Sequence, residues 1–275
     1  MDVAHPESRS KSRWRPSPVI ATSILLHMVA AVAILFWPHT WPFVAGVIVS
    51  DHLLLGIFGL LPRSSLLGPN WTDLPAPSAA RGEVALTIDD GPDPVVTPQV
   101  LDLLDRHGAK ASFFCVGDEA LRYPELCREI VQRGHAVENH GQSHSRYFAM
   151  FGLRRIAADV DRAQQTLFAL TGDLPRFFRP TAGLRNVLLA PVLAQRDLHL
   201  ASWTRRGFDT VERHAELVFQ RLARDLQAGD ILVLHDGNAA RTVAGVPVIL
   251  DVLPRLLDAI RDAGLHPVTL RSALR

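Results

Sequence analysis

Two aspartates stand back to back in "TIDDGPDP" (Thr87–Pro94), where a β-branched run stops and a glycine and two prolines begin. A single Asp-Gly pair would be enough for a tight turn. Two adjacent carboxylates at one strand end can instead divide a hydrolytic task, one holding a cation and the other taking a proton. The other reactive residues fit that division. His140 and His144, four apart, can face one ion from a helical turn or a loop. With Asp90 they form a three-ligand set that leaves positions open on a zinc-like ion, as catalytic sites require. A metal lowers the pKa of its bound water toward about 7, so Asp89 beside it would serve as general base. Arg179 would favour the charged form of Asp89. His235, on another strand, could protonate a leaving group, with Asp209 holding it cationic. Such a set would hydrolyse a carbonyl compound with a poor leaving group.

These residues can meet only if the elements between them place them at one rim. From Glu83 onward strand-like and helix-like segments alternate. Seven strands are expected, in "EVALTI", "KASFFCVG", "HAVENH", "RFFRP", "LHLASW", "DILVLHD" and "HPVTL". Between them the helix signals include Thr97 as N-cap with Pro98 at the first helical position, a break at Pro124, and a long helix from about Leu153 to Thr171. Strands alternating with helices argue for a parallel β/α architecture, either an open doubly wound sheet or a barrel. No G-x-G-x-x-G follows the first strand, which argues against a dinucleotide fold. In a β/α barrel chemistry collects at the carboxyl ends of the strands. Asp89-Asp90, His140, Arg179 and His235 all close such strands, and Asp209 lies just beyond one.

The N-terminus has a different character. Arg9, Lys11, Arg13 and Arg15 form a basic tail (residues 1–16), followed by two long apolar runs, at about 18–37 and 41–61, joined by "PHT" and flanked by Trp37 and Trp41. Each is long enough to cross about 30 Å of hydrocarbon, and the first is too long for a signal peptide. Residues 17–62 are therefore expected to form a membrane hairpin, with Asp51 paired to His27. The alternative is one span plus a helix lying on the surface. Positive charge before the first run and at Arg63 would place both ends and the downstream domain in the cytoplasm, as a multi-pass inner-membrane protein. If the second run does not span, the domain faces the periplasm. Residues 63–82, rich in Pro, Ser and Gly, are expected to be a linker, and 83–275 the catalytic domain.

Composition narrows the function classes. The 275 residues carry a net charge of +1, which gives no reason to propose a nucleic-acid partner. The hydrophobic fraction of 48% agrees with apolar surface facing lipid. Two cysteines, Cys115 and Cys127, exclude a disulfide framework. Phosphoryl transfer through an aspartate nucleophile would want a lysine late in the domain, but Lys110 is the only lysine after Lys11.

"TIDDGPDP", "NHGQSH", "FFRPTAG", "RRGFD" and "ILVLHDG" fall in the order and rough spacing of the five motifs of polysaccharide deacetylases of the NodB-homology type. The chain resembles that family from about Glu83 to its end. The resemblance implies a distorted (β/α)7 barrel, a divalent metal, commonly zinc, and removal of N-acetyl groups from amino sugars. It also implies that Asp89 is the base, Asp90, His140 and His144 the metal triad, Arg179 the partner of the base, and His235 the acid. The backbone N–H at Ala182 takes the place of an aromatic residue's oxyanion donor. Gly141 stands where the family has Ser or Thr, and Thr181-Ala182 where it has Pro-aromatic. The tryptophan usually beside Asp209 is missing, although Trp203 lies six residues earlier. These departures point away from a long polymer in an aromatic groove. The expected partners are an acylated amino sugar, lipid-linked in one reading, and membrane lipid. One alternative is a deformylase or deacylase of a lipid-linked amino sugar at the membrane face. The other is a catalytically weak carbohydrate-binding barrel.

Overall fold

The computed structural model describes residues 14–275. Arg9, Lys11 and Arg13 of the basic tail therefore lie outside the described residues. The eight strands are β1 (Glu83–Asp89), β2 (Ser112–Cys115), β3 (Ala136–Asn139), β4 (Phe177–Phe178), β5 (His199–Leu200), β6 (Arg205–Arg206), β7 (Ile231–His235) and β8 (His266–Val268). All pairings are parallel, in the order β5-β4-β3-β2-β1-β7-β6, with β8 against the start of β1. The result is a curled, open half-barrel, which is the expected fold class. It has one strand more than the seven expected. β6 is only two residues long, too short for any periodicity to register, and its polar pair Arg205-Arg206 reads as loop.

The pleat decides what each strand offers to either face, because successive side chains point to opposite sides. On β1, Val84, Leu86 and Ile88 pack outward with Val100, Leu104 and Val252 of the surrounding helices. Ala85 points inward with Phe114, Phe177, Ile231 and Leu270. Thr87 and Asp89, two and four residues on, share that inner face. The same alternation on β7 sends Leu232 and Leu234 outward and leaves His235 at the inner rim. Asp89 pairs in register with His235 and with Phe114. Every strand runs in one direction, so their polar last residues converge at one end.

The helix readings hold with adjustments. Leu153–Thr171 is helical, and Pro124 separates the helices Gly117–Arg122 and Pro124–Gln132. Thr97 is not the cap of its helix, which begins at Val96. Asp93 takes that role by accepting from the N–H groups of Val95 and Val96, while the Thr97 hydroxyl donates to Asp236. Residues 63–82, expected as a linker, lie across the open side of the half-barrel. Trp71 bridges Ala201 and Asp73 bridges Asp230, so this segment spans the gap between β5 and the start of β7. Trp71 stacks edge-on with Phe177 at 5.1 Å.

Two long apolar helices precede this body, α1 (Pro18–Phe36) and α2 (Trp41–Gly59), joined by the short turn Pro38–Thr40. Both are long and apolar enough to cross a membrane. Asp51 pairs with Ser23, whose hydroxyl donates at 2.7 Å, and not with His27 as expected. His27 and His52 each place Nδ1 on a backbone carbonyl one turn back, and a ring nitrogen of each lies within 4.8 Å of an Asp51 carboxylate oxygen without a direct bond to it. The hairpin docks on the catalytic body at its near end. Ser17 donates to the Leu66 carbonyl, and Arg185 donates its backbone N–H to Gly59 at 3.1 Å. A Cβ on Gly59 would collide with the Arg185 carbonyl. Gly59→Ala is therefore expected to wedge the hairpin off the body at a cost of about 1–3 kcal/mol. The check is limited proteolysis with thermal unfolding, which should show faster cleavage near residues 60–66 and a lower midpoint.

Candidate active site

The deepest residue of the rim is Arg179, which follows β4 and is fully buried. Its side chain reaches into the half-barrel and donates to Asp89 Oδ1 at 2.6 Å, Thr87 Oγ1 at 2.9 Å, and the carbonyls of Ala201 and Ser202 at 3.1 and 2.7 Å. The guanidinium also lies 4.1 Å from the Phe114 ring centroid. Asp89 is buried, so its ion pair with Arg179 is shielded from solvent. Removing one partner of a buried pair leaves an uncompensated charge.

Asp90 turns away from Asp89 because its φ of 77° takes it out of the strand conformation. Its Oδ1 lies 3.0 Å from Nε2 of both His140 and His144. Nδ1 of His140 donates to the Arg179 carbonyl at 2.7 Å, which orients the ring and directs Nε2 at Asp90. Fixing one ring nitrogen by an outer hydrogen bond is how metal-binding histidines are usually held. The three ligand atoms lie within 4.8 Å of one another, and this donor set of one carboxylate and two imidazoles suits a divalent ion. Burial alone would raise the Asp90 carboxyl, but its hydrogen bonds with His140 and His144 outweigh that and hold it far below the carboxylate range. Asn238 donates to its other oxygen at 3.2 Å.

The loop that carries the histidines is braced without the hydroxyl expected after His140. Gly141 adopts φ 80°, and a Cβ there would sit 2.6 Å from Asp159 Oδ2. Asp159, from the helix Leu153–Thr171, instead accepts from the N–H groups of Gln142 and Ser143 and from the Ser143 hydroxyl. Asn139 accepts from the Gly141 N–H. Glycine thus makes room for a carboxylate that clamps the loop through its backbone.

Across the rim, His235 Nδ1 bonds Asp209 Oδ1 at 2.8 Å, and the His235 backbone N–H bonds Asp209 Oδ2 at 2.8 Å. Burial lowers the His235 pKa, but the charge and hydrogen bond of fully buried Asp209 outweigh it and raise the value to about 9. The ring is then largely cationic at neutral pH. Asp236 does not touch His235. It accepts from Thr97 and from the Gly237 N–H, and burial pushes it up to about 7.

A cavity of about 180 Å³ joins these groups, with Asp89, Asp90, His140, His144 and His235 in its lining. Thr181–Gly183 closes one side as a single 3-10 turn, with Ala182 at φ 55°. The N–H groups of Gly183 and Leu184 are used inside that turn. That of Ala182 makes no hydrogen bond among the described residues. Trp203 packs on Gly183 and lines the cavity. Arg206 stacks 4.9 Å from its ring centroid. All eight residues singled out in the sequence therefore surround one rim. Sequence reasoning missed Asp159 and Asn238, and it favoured a solvated pair for Arg205-Arg206, where the structure sets Arg206 in the cavity lining. Asn238 lies three residues after His235, within reach of inspection. Asp159 carries no local signal, because it sits inside an ordinary amphipathic helix.

Such a rim, on such a sheet, defines a β/α half-barrel hydrolase. The family model for polysaccharide deacetylase matches residues 77–201. A peptidoglycan-N-acetylglucosamine deacetylase of Bacillus cereus is 32% identical over 196 residues, covering 70% of this chain and 88% of that protein. A chitooligosaccharide deacetylase of Sinorhizobium fredii is 29% identical over 197 residues, covering 70% and 91%. A crystal structure of a peptidoglycan N-acetylglucosamine deacetylase in complex with 4-naphthalen-1-yl-N-oxidanyl-benzamide superposes with a TM-score of 0.67 at 26% identity, covering 74% and 92%. The chain belongs to the polysaccharide deacetylase family and is a hydrolase of the amide-cleaving kind that this family comprises.

Asp159→Ala should loosen the histidine loop and lower divalent-metal affinity by about 10–100-fold, as measured by chelator competition, while thermal unfolding still shows a folded chain. Arg179→Gln should cost about 3–5 kcal/mol of stability, read as a drop in the denaturant midpoint.

Proposed function

We propose that the chain removes the N-acetyl group of an amino sugar, with Asp89 as base, His235 as acid and a divalent ion, zinc by its donor set, held by Asp90, His140 and His144. The observation that carries this reading is the opposition of a buried carboxylate and a histidine with a pKa near 9 across one small cavity. When bound, the ion would polarise the amide carbonyl and lower the pKa of a coordinated water. Asp89, held by Arg179, takes the proton as the water oxygen bonds to the amide carbon. The oxyanion that develops on the carbonyl is met by the Ala182 N–H. His235 gives its proton to the amide nitrogen as the C–N bond breaks, so acetate and a free amine leave. Asp209 keeps that proton on His235 until it is needed.

The names of the relatives support an N-acetylated amino sugar as the substrate. The hairpin supports a membrane location, and the lack of basic residues between α1 and α2, set against Arg15 and Arg63 outside them, supports a cytoplasmic catalytic domain. In this reading residues 17–62 anchor the protein, 63–82 join anchor to body, and 83–275 carry the chemistry.

Asp89→Asn should abolish release of acetate from N-acetylglucosamine oligomers while metal content stays near wild type, whereas His140→Ala should lose both. Full activity in Asp89→Asn would remove the base assignment. Because the acid must be protonated, kcat should fall as pH rises through about 9. Asp209→Asn removes the largest raising influence and leaves the burial, so its pH–rate profile should fall at a lower pH. An unmoved alkaline limb would dissociate His235 from the acid role.

A further inference from the structure

Between the hairpin and the catalytic body lies a second cavity, of about 920 Å³, near the top of the roughly 300–1,000 Å³ range of small-molecule sites. Ile20, Ile24, His27 and Ala31 of α1 form one wall, and His52, Leu55 and Gly56 of α2 with Leu60 just after it form another. Met150, Leu188 and Pro191 of the body complete it. On each helix these residues recur at three- and four-residue intervals, so one face is given over to the cleft. From Ile20 to Ala31 the helix runs roughly 16 Å, about half of the roughly 30 Å hydrocarbon thickness. With the hairpin set across a bilayer, a cleft of this length would reach from the body into one leaflet.

One cation stands at its head. Arg185 is 3% exposed and lines the cleft, and its Nε is buried with no hydrogen-bond partner among the described residues. Its Nη2 donates to the Ser64 carbonyl, but no carboxylate pairs with it among the described residues. Burial pushes its pKa down to about 10, so it stays charged at neutral pH. A buried cation without a counter-charge is costly unless a ligand supplies the anion. Arg185 also lies two residues from Gly183, which lines the catalytic cavity, a chain distance of roughly 7 Å at most. Pro62, where the hairpin ends, packs against Gly183.

We infer that this cleft holds the hydrocarbon chain of an amino-sugar lipid joined through phosphate, with Arg185 on the phosphate and the sugar carried past Gly183 into the site. The inference rests on the proposed deacetylation and on the hairpin lying in a membrane. A chain of lipid width suits an apolar cleft open along one leaflet, and the phosphate matches Arg185. The protein's own first thirteen residues match the apolar walls poorly, because they are mostly polar, with Arg9, Lys11 and Arg13 outnumbering Asp2 and Glu7.

The test uses the full chain in nanodiscs with three probes. These are N-acetylglucosamine 1-phosphate esterified to a twenty-carbon prenol, its methyl ester, and an N-acetylglucosamine oligomer. The expected result is a kcat/KM for the prenyl probe at least 100-fold above that of the methyl ester. Gly56→Trp fills the cleft from a position where an added Cβ meets nothing within 4 Å. It should lower the prenyl value at least tenfold and leave the methyl ester within twofold. Arg185→Gln should reduce the preference for phosphate-linked probes over a prenyl N-acetylglucosaminide without phosphate. Equal rates on prenyl and methyl probes, or a prenyl preference that Gly56→Trp leaves intact, would overturn the inference and assign the cleft to bulk lipid or the N-terminal residues. Turnover of none of the probes would instead strike the proposed deacetylation itself.

Discussion

Everything at the rim depends on one buried cation. Arg179 is fully buried in the half-barrel, and its hydrogen bonds are made to protein groups. Asp89, Thr87, Ala201 and Ser202 supply four of them, from β1 and from the end of β5 onward. Its own carbonyl accepts from His140 and so aims a metal-ligand candidate. One side chain therefore couples the position of the proposed base to that of the proposed ligands. A guanidinium suits this task, because its rigid fork of donors can satisfy carboxylate, hydroxyl and carbonyls together. The same coupling makes the site intolerant of change: a shift in β4 would move the base and a ligand histidine at once.

The second constraint is parallel pairing. A parallel sheet with helices outside turns alternate residues inward, and every strand ends at the same rim. That is why the site was legible in the sequence. Asp89, His140, Arg179 and His235 each close a strand-like run, and the pleat leaves little choice of where their side chains point. Asp209 was legible for another reason, as the carboxylate needed to keep a buried histidine charged.

What was not legible depends on contacts between distant segments. The residues 63–82 have a linker's composition, yet Trp71 and Asp73 bridge the open side of the half-barrel by backbone pairing, which composition does not encode. The strand Arg205–Arg206 is too short to show a period. Asp159 clamps the histidine loop from a helix whose pattern is ordinary, and it compensates for Gly141 in a way that only the fold reveals. Trp203 packs on Gly183, beside Ala182, although the two are 20 residues apart. For Gly141 and Ala182 the departure from the family pattern is visible in the sequence and the contacts made around it are not. The docking of the hairpin through Gly59 and Arg185 belongs to the same class.

The account stands on Asp90, His140 and His144 acting as one metal centre. Its most direct test is the metal content of purified protein by mass spectrometry, wild type beside a His140→Ala/His144→Ala double variant. About one zinc-like ion per wild-type chain, lost in the double variant, is the predicted result. No bound metal in wild type after reconstitution with zinc, cobalt or nickel would contradict it and leave the barrel as a carbohydrate-binding module with a paired-aspartate turn.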